Sequence, residues 1–347
     1  MAAGFGRIDA FPRVSLTRAP TPIDALPNLT RALGAPDIFV KRDDCTGLAM
    51  GGSKARLLEF YLGQAAVAGA DTVLITGSVQ SNYCAMTAAA ARRCGLACHV
   101  QLEERVPDVD ALYRSSGNVL LDRLFGATVH SYPVGEDEDG ADRRLEEIAD
   151  DLRAGGAAPY VIPLGPKHEP LGALGYVIAA REILDQIAAL DIAVDEIVVA
   201  SGSGQSHAGL LVGLRAAGSA VRVTGVCVRR PASEQGPRLL DMTAQLAGML
   251  GIAPVVEPDD IRLVDAILAP GYGRRNEEVV EAMATMSRHE GLIVDPVYTG
   301  KTAAGLIRRV TENGVDGASG VLMIHTGGLP ILFAYGDLID PAGETLT

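Results

Sequence analysis

Lys54 has the clearest chemical opportunity in this sequence. It closes the glycine turn Gly51-Gly52-Ser53-Lys54-Ala55-Arg56, which follows Val40-Lys41-Arg42-Asp43-Asp44-Cys45-Thr46-Gly47, and it opens an apolar helical pattern. A lysine amine buried at such a junction is suited to forming a Schiff base with an aldehyde cofactor.

Four other turns carry small polar groups where a strand-like run gives way to a helical one. In Ala200-Ser201-Gly202-Ser203-Gly204-Gln205-Ser206-His207-Ala208-Gly209, free backbone N–H groups and a positive helix end would suit a phosphate. The segment lacks the P-loop lysine and the dinucleotide spacing, so a plain strand-to-helix turn is the alternative. Thr76-Gly77-Ser78-Val79-Gln80-Ser81-Asn82 ends in two N-cap residue types, and a structural cap would explain them equally well. Asp295-Pro296-Val297-Tyr298-Thr299-Gly300-Lys301 and Ile324-His325-Thr326-Gly327-Gly328 occupy similar positions. Ligands of open α/β sheets gather at the carboxyl ends of strands, so the five turns are expected to converge on one site.

The elements that must position these turns alternate along the chain. The runs 71–76, 97–101, 160–163, 196–200, 221–226 and 321–325 are short and rich in β-branched residues, as buried parallel strands are. Leu57, Leu58, Tyr61, Leu62, Ala65 and Ala66 recur at helical spacing, as do Leu210, Leu211 and Leu214. The pattern predicts a doubly wound α/β fold with two sheets. The acidic run Gly135–Asp142 is read as a solvated loop or helix start without chemistry, since acids favour a helix N-terminus.

Composition narrows the function. With 347 residues, 48% hydrophobic and 21% charged, the chain is expected to form about two globular domains. A net charge of −13 argues against a nucleic-acid groove, which needs clustered cations. No apolar stretch is long enough to span a bilayer and the first residues lack a signal-peptide core, so a cytoplasmic protein is expected. The five cysteines, Cys45, Cys84, Cys94, Cys98 and Cys227, are expected to be reduced. Cys94, Cys98 and His99 lack a second ligand pair at zinc spacing, and no metal is expected.

Taken in order, Lys41-Arg42-Asp43-Asp44, Gly51-Gly52-x-Lys54, Gln80-Ser81-Asn82, Pro170-Leu171-Gly172-Ala173-Leu174-Gly175-Tyr176, Asp295 to Lys301 and His325-Thr326-Gly327-Gly328 resemble the fold-type II pyridoxal-phosphate enzymes. The similarity runs from about Pro12 to Tyr335 and lies in the branch holding D-cysteine desulfhydrase, aminocyclopropane-carboxylate deaminase and cysteate sulfo-lyase. The resemblance implies two doubly wound parallel-sheet domains like tryptophan synthase β, with pyridoxal 5'-phosphate between them. Residues 1–53 and 164–347 would form the large domain and 54–163 the small one. It implies Lys54 as the covalent anchor and base. Gly202, Ser203, Gly204, Gln205 and Ser206 would hold the phosphate, with Asn82 on the ring hydroxyl and Thr326 facing the pyridine nitrogen. Gln80, Ser81, Asn82 and Tyr83 would meet the substrate, and Ser81, Tyr272 and Tyr298 would join Lys54 in catalysis.

A neutral hydroxyl at Thr326 would leave the ring nitrogen largely unprotonated, which suits prompt loss of a β-leaving group. The activity implied is a carbon–sulfur lyase on a small amino acid, D-cysteine first, by a homodimer. L-Cysteate, aminocyclopropane-carboxylate and a catalytically silent binding protein stand as alternatives; Thr299 occupies a place where the deaminase would have glutamate. Departures from the family pattern are Ser53 and Ala55 beside Lys54, Tyr83 and Ala85 after Gln80-Ser81-Asn82, Gln205 in place of glycine, and the loop Gly165-Pro166-Lys167-His168-Glu169. They predict a changed substrate pocket, with the missing arginine at Ala85 altering an anion contact.

Overall fold

The computed structural model describes residues 5–165, 168–312, 315 and 319–336. Pro166 and Lys167 lie outside the described residues.

Among the described residues ten strands divide into two sheets. The larger is formed by β1 (Ile23–Ala25), β2 (Asp37–Lys41), β7 (Glu196–Ser201), β8 (Arg222–Cys227), β9 (Arg262–Val264) and β10 (Gly320–Ile324) in the order β1-β2-β10-β7-β8-β9. Only β1 runs antiparallel to its neighbour. The smaller joins β3 (Thr72–Ser78), β4 (Ala97–Glu103), β5 (Thr128–Tyr132) and β6 (Pro159–Ile162) in the all-parallel order β5-β4-β3-β6. Every residue of β3 and β10 is buried, which is why these central strands read as continuous runs rather than alternating ones.

Helices fill the crossovers: α1 (Pro27–Leu33), α2 (Lys54–Val67), α3 (Asn82–Arg93), α4 (Gly117–Leu124), α5 (Glu138–Ala154), α6 (Leu174–Leu190), α7 (Gln205–Ala216), α8 (Ala232–Leu250), α9 (Glu277–Glu290), α10 (Thr299–Thr311) and α11 (Leu329–Leu332). One apolar cluster runs from Val73, Ile75 and Val100 of the smaller sheet, through Leu57 and Leu58 of α2, to Ile197 and Leu322 of the larger. Helix α2 packs on both α3 and α6, so the two sheets share a core and the helix opened by Lys54 sits at their junction. Among the described residues no helix is long and apolar enough to cross a membrane.

Candidate functional site

The principal cavity lies at the carboxyl ends of strands from both sheets, where topology makes such crevices. Gly77 and Ser78 enter it from the last residues of β3, Ser81, Asn82 and Tyr83 just beyond it, and Gly202, Ser203, Gly204 and Ser206 after β7. Thr326 follows β10, Tyr272 follows β9, and Tyr298 immediately precedes α10. Lys54 completes the wall.

The backbone around Lys54 depends on glycine. Gly51 has φ +74°, and a Cβ there would lie 1.7 Å from the carbonyl oxygen of Asp44. Gly327 has φ +94°, and a Cβ would fall 2.6 Å from Gly52 Cα. Only glycine permits this approach. The Ser53 N–H then donates to the Thr326 carbonyl at 3.0 Å, tying the start of α2 to the turn after β10.

Three buried or half-buried lysines differ in their partners. Lys41 Nζ donates to Glu182, Gln186 and the Thr21 carbonyl, and Lys301 Nζ to the carbonyls of Leu268 and Gly271. Lys54 Nζ has only the Ser53 hydroxyl at 3.5 Å and the Tyr83 ring, whose centroid is 5.9 Å away. Without a carboxylate to offset the loss of water, burial holds the Lys54 amine down to about 8. Burial lowers Lys301 as far, so it is the uncommitted amine and its place on the cavity wall that make Lys54 the nucleophile and base among the three.

The turn before α7 is shaped as an anion seat. Gly204 caps the helix at φ 97°, and the first N–H groups of a helix have no acceptor within it. The Ser206 hydroxyl is buried without any partner, a costly state unless a ligand accepts from it. These features fit a phosphate group. Gln205 contributes through its backbone position only, because its side chain meets Tyr61.

Across the cavity, Ser81 Oγ caps α3 by accepting from the Cys84 N–H at 3.2 Å. Asn82 Oδ1 accepts from Asn118 at 2.8 Å. A hydroxyl chain joins Ser78 Oγ to Tyr272 OH at 2.8 Å and Tyr272 OH to Tyr298 OH at 2.6 Å. Burial, with Tyr272 beside it, pushes the Tyr298 phenol well above its ordinary value, keeping it a proton donor. The Tyr83 hydroxyl is buried without a partner.

Several sequence-level expectations need correction. Gln80 is not on the cavity wall: its Nε2 donates to the carbonyls of Tyr113 and Ser116 and its Oε1 accepts from the Asn118 N–H, so its side chain braces the start of α4. Ala85 lines a separate small hollow with Met50, Met86 and Phe125, so the absent arginine is not missed in the main cavity. The acidic run does start a helix, with Asp137 as cap, but Glu138 is not idle. It reaches the cavity wall among Arg229, Arg230 and Arg238. Ser78, Arg105, Arg229 and Arg238 also line the wall; the first three lie at or just beyond a strand end, a signal the spacing offered, whereas Arg238 lies within α8. His325 bonds the Ile293 carbonyl and the Gly327 N–H away from the cavity, as its alternation predicted. Thr299 is spent on Asp295.

Residues 14–327 match the family model described as pyridoxal-phosphate dependent enzyme. The chain belongs to that family. It is similar to the D-cysteine desulfhydrase of Salmonella choleraesuis (strain SC-B67), with 42% identity over 325 residues, 94% of this chain and 96% of the relative. The D-cysteine desulfhydrase of Salmonella typhi matches to the same extent. Among solved structures, an ACC deaminase homologue superposes with a TM-score of 0.87 at 36% identity, covering 98% of both chains. O-Ureido-L-serine synthase, at 20% identity and a TM-score of 0.68 over 98% of this chain and 96% of that one, shares the fold. The protein is an enzyme using pyridoxal phosphate.

Proposed function

We propose that the protein is a lyase that eliminates the β-substituent of a small amino acid, with D-cysteine giving pyruvate, sulfide and ammonia as the leading reaction. The observation that carries this reading is the Lys54 amine, its pKa lowered by burial alone, facing an anion seat across one cavity. Pyridoxal phosphate, when bound, supplies the electron sink for the pair left by the substrate's α-proton. The turn 202–206 would hold its phosphate, Asn82 its ring hydroxyl and Thr326 its nitrogen. Lys54 takes the α-proton. Ser81 and Asn82 orient the carboxylate, and the Ser78–Tyr272–Tyr298 chain holds a proton beside the leaving group.

Kinship with D-cysteine desulfhydrases selects the substrate. Residues 1–53 with 164–347 are taken as the larger domain and 54–163 as the smaller. A reducing, cytoplasmic setting is inferred from five free cysteines, three of them buried. A homodimer is inferred from the exposed Leu120, Leu124 and Val129 on α4 and the edge strand β5.

The test is a panel of D- and L-cysteine, β-chloroalanine and aminocyclopropane-carboxylate assayed for keto acid and ammonia, with wild type and Lys54→Ala. Keto acid from D-cysteine is expected with wild type only. Borohydride should fix the cofactor to Lys54; recovery on Lys41 or Lys301, or full turnover by Lys54→Ala, would refute the assignment.

A further inference from the structure

The turn that fits a phosphate is backed by the chain that leaves β8. The Val228 N–H donates to the Ser201 carbonyl at 3.2 Å, Gln235 Nε2 to the Ser201 hydroxyl at 3.0 Å, and Arg230 Nη1 to the Gly202 carbonyl at 3.5 Å. Packing leaves little slack: a Cβ at Gly202 would lie 3.2 Å from Val228 Cγ2, and one at Gly204 3.2 Å from Leu239 Cδ2. Arg229 and Arg238 are thereby carried onto the wall of the cavity that also holds Ser203, Gly204 and Ser206. Three arginines border one turn.

Their charges are not balanced. Glu138 Oε1 accepts from Arg229 Nη1 at 2.8 Å and from Arg230 Nη2, its Oε2 accepts from Arg238 Nη1 at 3.0 Å, and Glu136 takes another edge of Arg229 at 2.7 Å. Among the described residues, two carboxylates thus pair with three guanidiniums, none more than 12% exposed. Burial and the neighbouring Arg229 lower the Arg230 guanidinium, as an excess of positive charge would. Arg238 Nε is buried without an acceptor, and the Ser206 hydroxyl of the turn is buried without a partner. Two unmet donors on one cavity call for an anionic acceptor. A helix end alone offers about half a unit of charge, whereas a phosphate ester, with its second ionisation at about 6, carries close to two at neutral pH. Burying such an ion without a full counter-charge is costly.

We propose that Arg229 and Arg238 supply the counter-charge for the phosphate of pyridoxal phosphate, and that Glu138 competes with that phosphate for them. This counter-charge presupposes the turn 202–206 as the phosphate seat and adds to it an ionic component from the chain after β8. A seat of backbone donors and a hydroxyl reads the shape of the group; the arginines read its charge. Glu138 is the first residue of α5, on the smaller sheet's side, and at 23% is more exposed than any of the three arginines. A carboxylate so placed can turn to solvent when a dianion arrives. Cofactor loading then exchanges one ion pair for another, and no guanidinium is left bare in either state.

Full-length protein freed of cofactor is titrated with pyridoxal 5'-phosphate and with pyridoxal, which lacks the phosphate, and affinity is read from the cofactor absorption band. Arg229→Gln and Arg238→Gln should each weaken pyridoxal 5'-phosphate about tenfold or more, as for a lost bond to a charged group. Pyridoxal should stay within about threefold. Arg238→Lys, which keeps the charge without the planar fork, should recover part of the loss. Wild type should lose affinity for pyridoxal 5'-phosphate, and not for pyridoxal, as potassium chloride rises. Glu138→Gln should bind pyridoxal 5'-phosphate more tightly, its competitor being gone. Equal loss of both ligands, unchanged pyridoxal 5'-phosphate affinity in both arginine variants, salt-insensitive binding, or weaker binding in Glu138→Gln would each overturn the counter-charge. If an arginine variant does not fold, the salt series on wild type and the Glu138→Gln titration still decide. Ser206→Ala tells the seat from its counter-charge: unchanged pyridoxal 5'-phosphate affinity in that variant would refute the seat, whereas a loss there with none in the arginine variants would refute the counter-charge alone.

Discussion

Burial acts on Lys54 and Asp122 through the same desolvation, with different consequences. At Lys54 it yields a reactive amine beside a cavity. At Asp122, on α4, both carboxyl oxygens are buried without partners beside Cys84 and Cys98, and burial pushes the group up to about 7. The unfolded value is near 4. Both states carry the proton below that, so no penalty exists there; stability is lost as pH rises from about 4 through 7. Asp122→Asn should therefore stabilise the protein by roughly 2–4 kcal/mol at pH 8 and change little at pH 4. Thermal unfolding at the two pH values decides it, and equal effects at both would refute the argument. Single residues were unevenly legible in the sequence. Ser81 and Asn82 declared themselves as cap types before a helix, whereas Gln80 beside them differs only in which way its side chain turns. Glu138 was unreadable because its arginine partners lie about ninety residues or more away.

Among the elements, the strands that were legible are mostly the buried ones, with half-buried β6 at the sheet edge as the exception. β3, β4, β6, β7, β8 and β10 all fall on the apolar runs that predicted them. β1 and β9 were missed because three residues carry no periodicity. β5 is an edge strand with no buried residue, so hydrophobicity does not mark it. β2 was hidden inside a segment whose charges drew attention to chemistry instead. The turn between β7 and α7 was legible because its small residues follow one of the clearest strands. Its Ser206 hydroxyl provides a clean test, since it contributes no hydrogen bond to the fold. Ser206→Ala should leave unfolding unchanged or slightly raise stability, yet weaken cofactor binding by about tenfold, as for a lost bond to a charged group. Retention of cofactor through dialysis equal to wild type would reduce the turn to a structural one.

At the scale of the molecule, the junction between the sheets is held by a buried ionic network under α2. Arg56 donates to Asp43 at 2.8 and 3.0 Å and to Glu182 at 2.8 and 2.9 Å, while Tyr176 OH donates to Asp43 at 2.7 Å. Asp43 follows β2 and Glu182 lies on α6, so Arg56 fixes the helix that Lys54 opens against the larger sheet. Burial pushes both carboxyls up, but the charge and hydrogen bonds of Arg56 outweigh it and hold both below their ordinary values, helped at Glu182 by Lys41. Their contribution is present above about pH 4, the unfolded value, and is lost as pH falls through the folded values. Replacing the arginine reverses the balance. In Arg56→Met the carboxylates remain buried with much of their compensation gone, at a cost of about 3–5 kcal/mol at pH 7. As pH falls toward 4.5 they can take up protons, so the deficit relative to wild type should shrink. Urea unfolding of both proteins at pH 7 and pH 4.5 measures this directly. A deficit that is the same at both values would mean that packing of the Arg56 stem, rather than its charge, fixes α2 to the larger sheet.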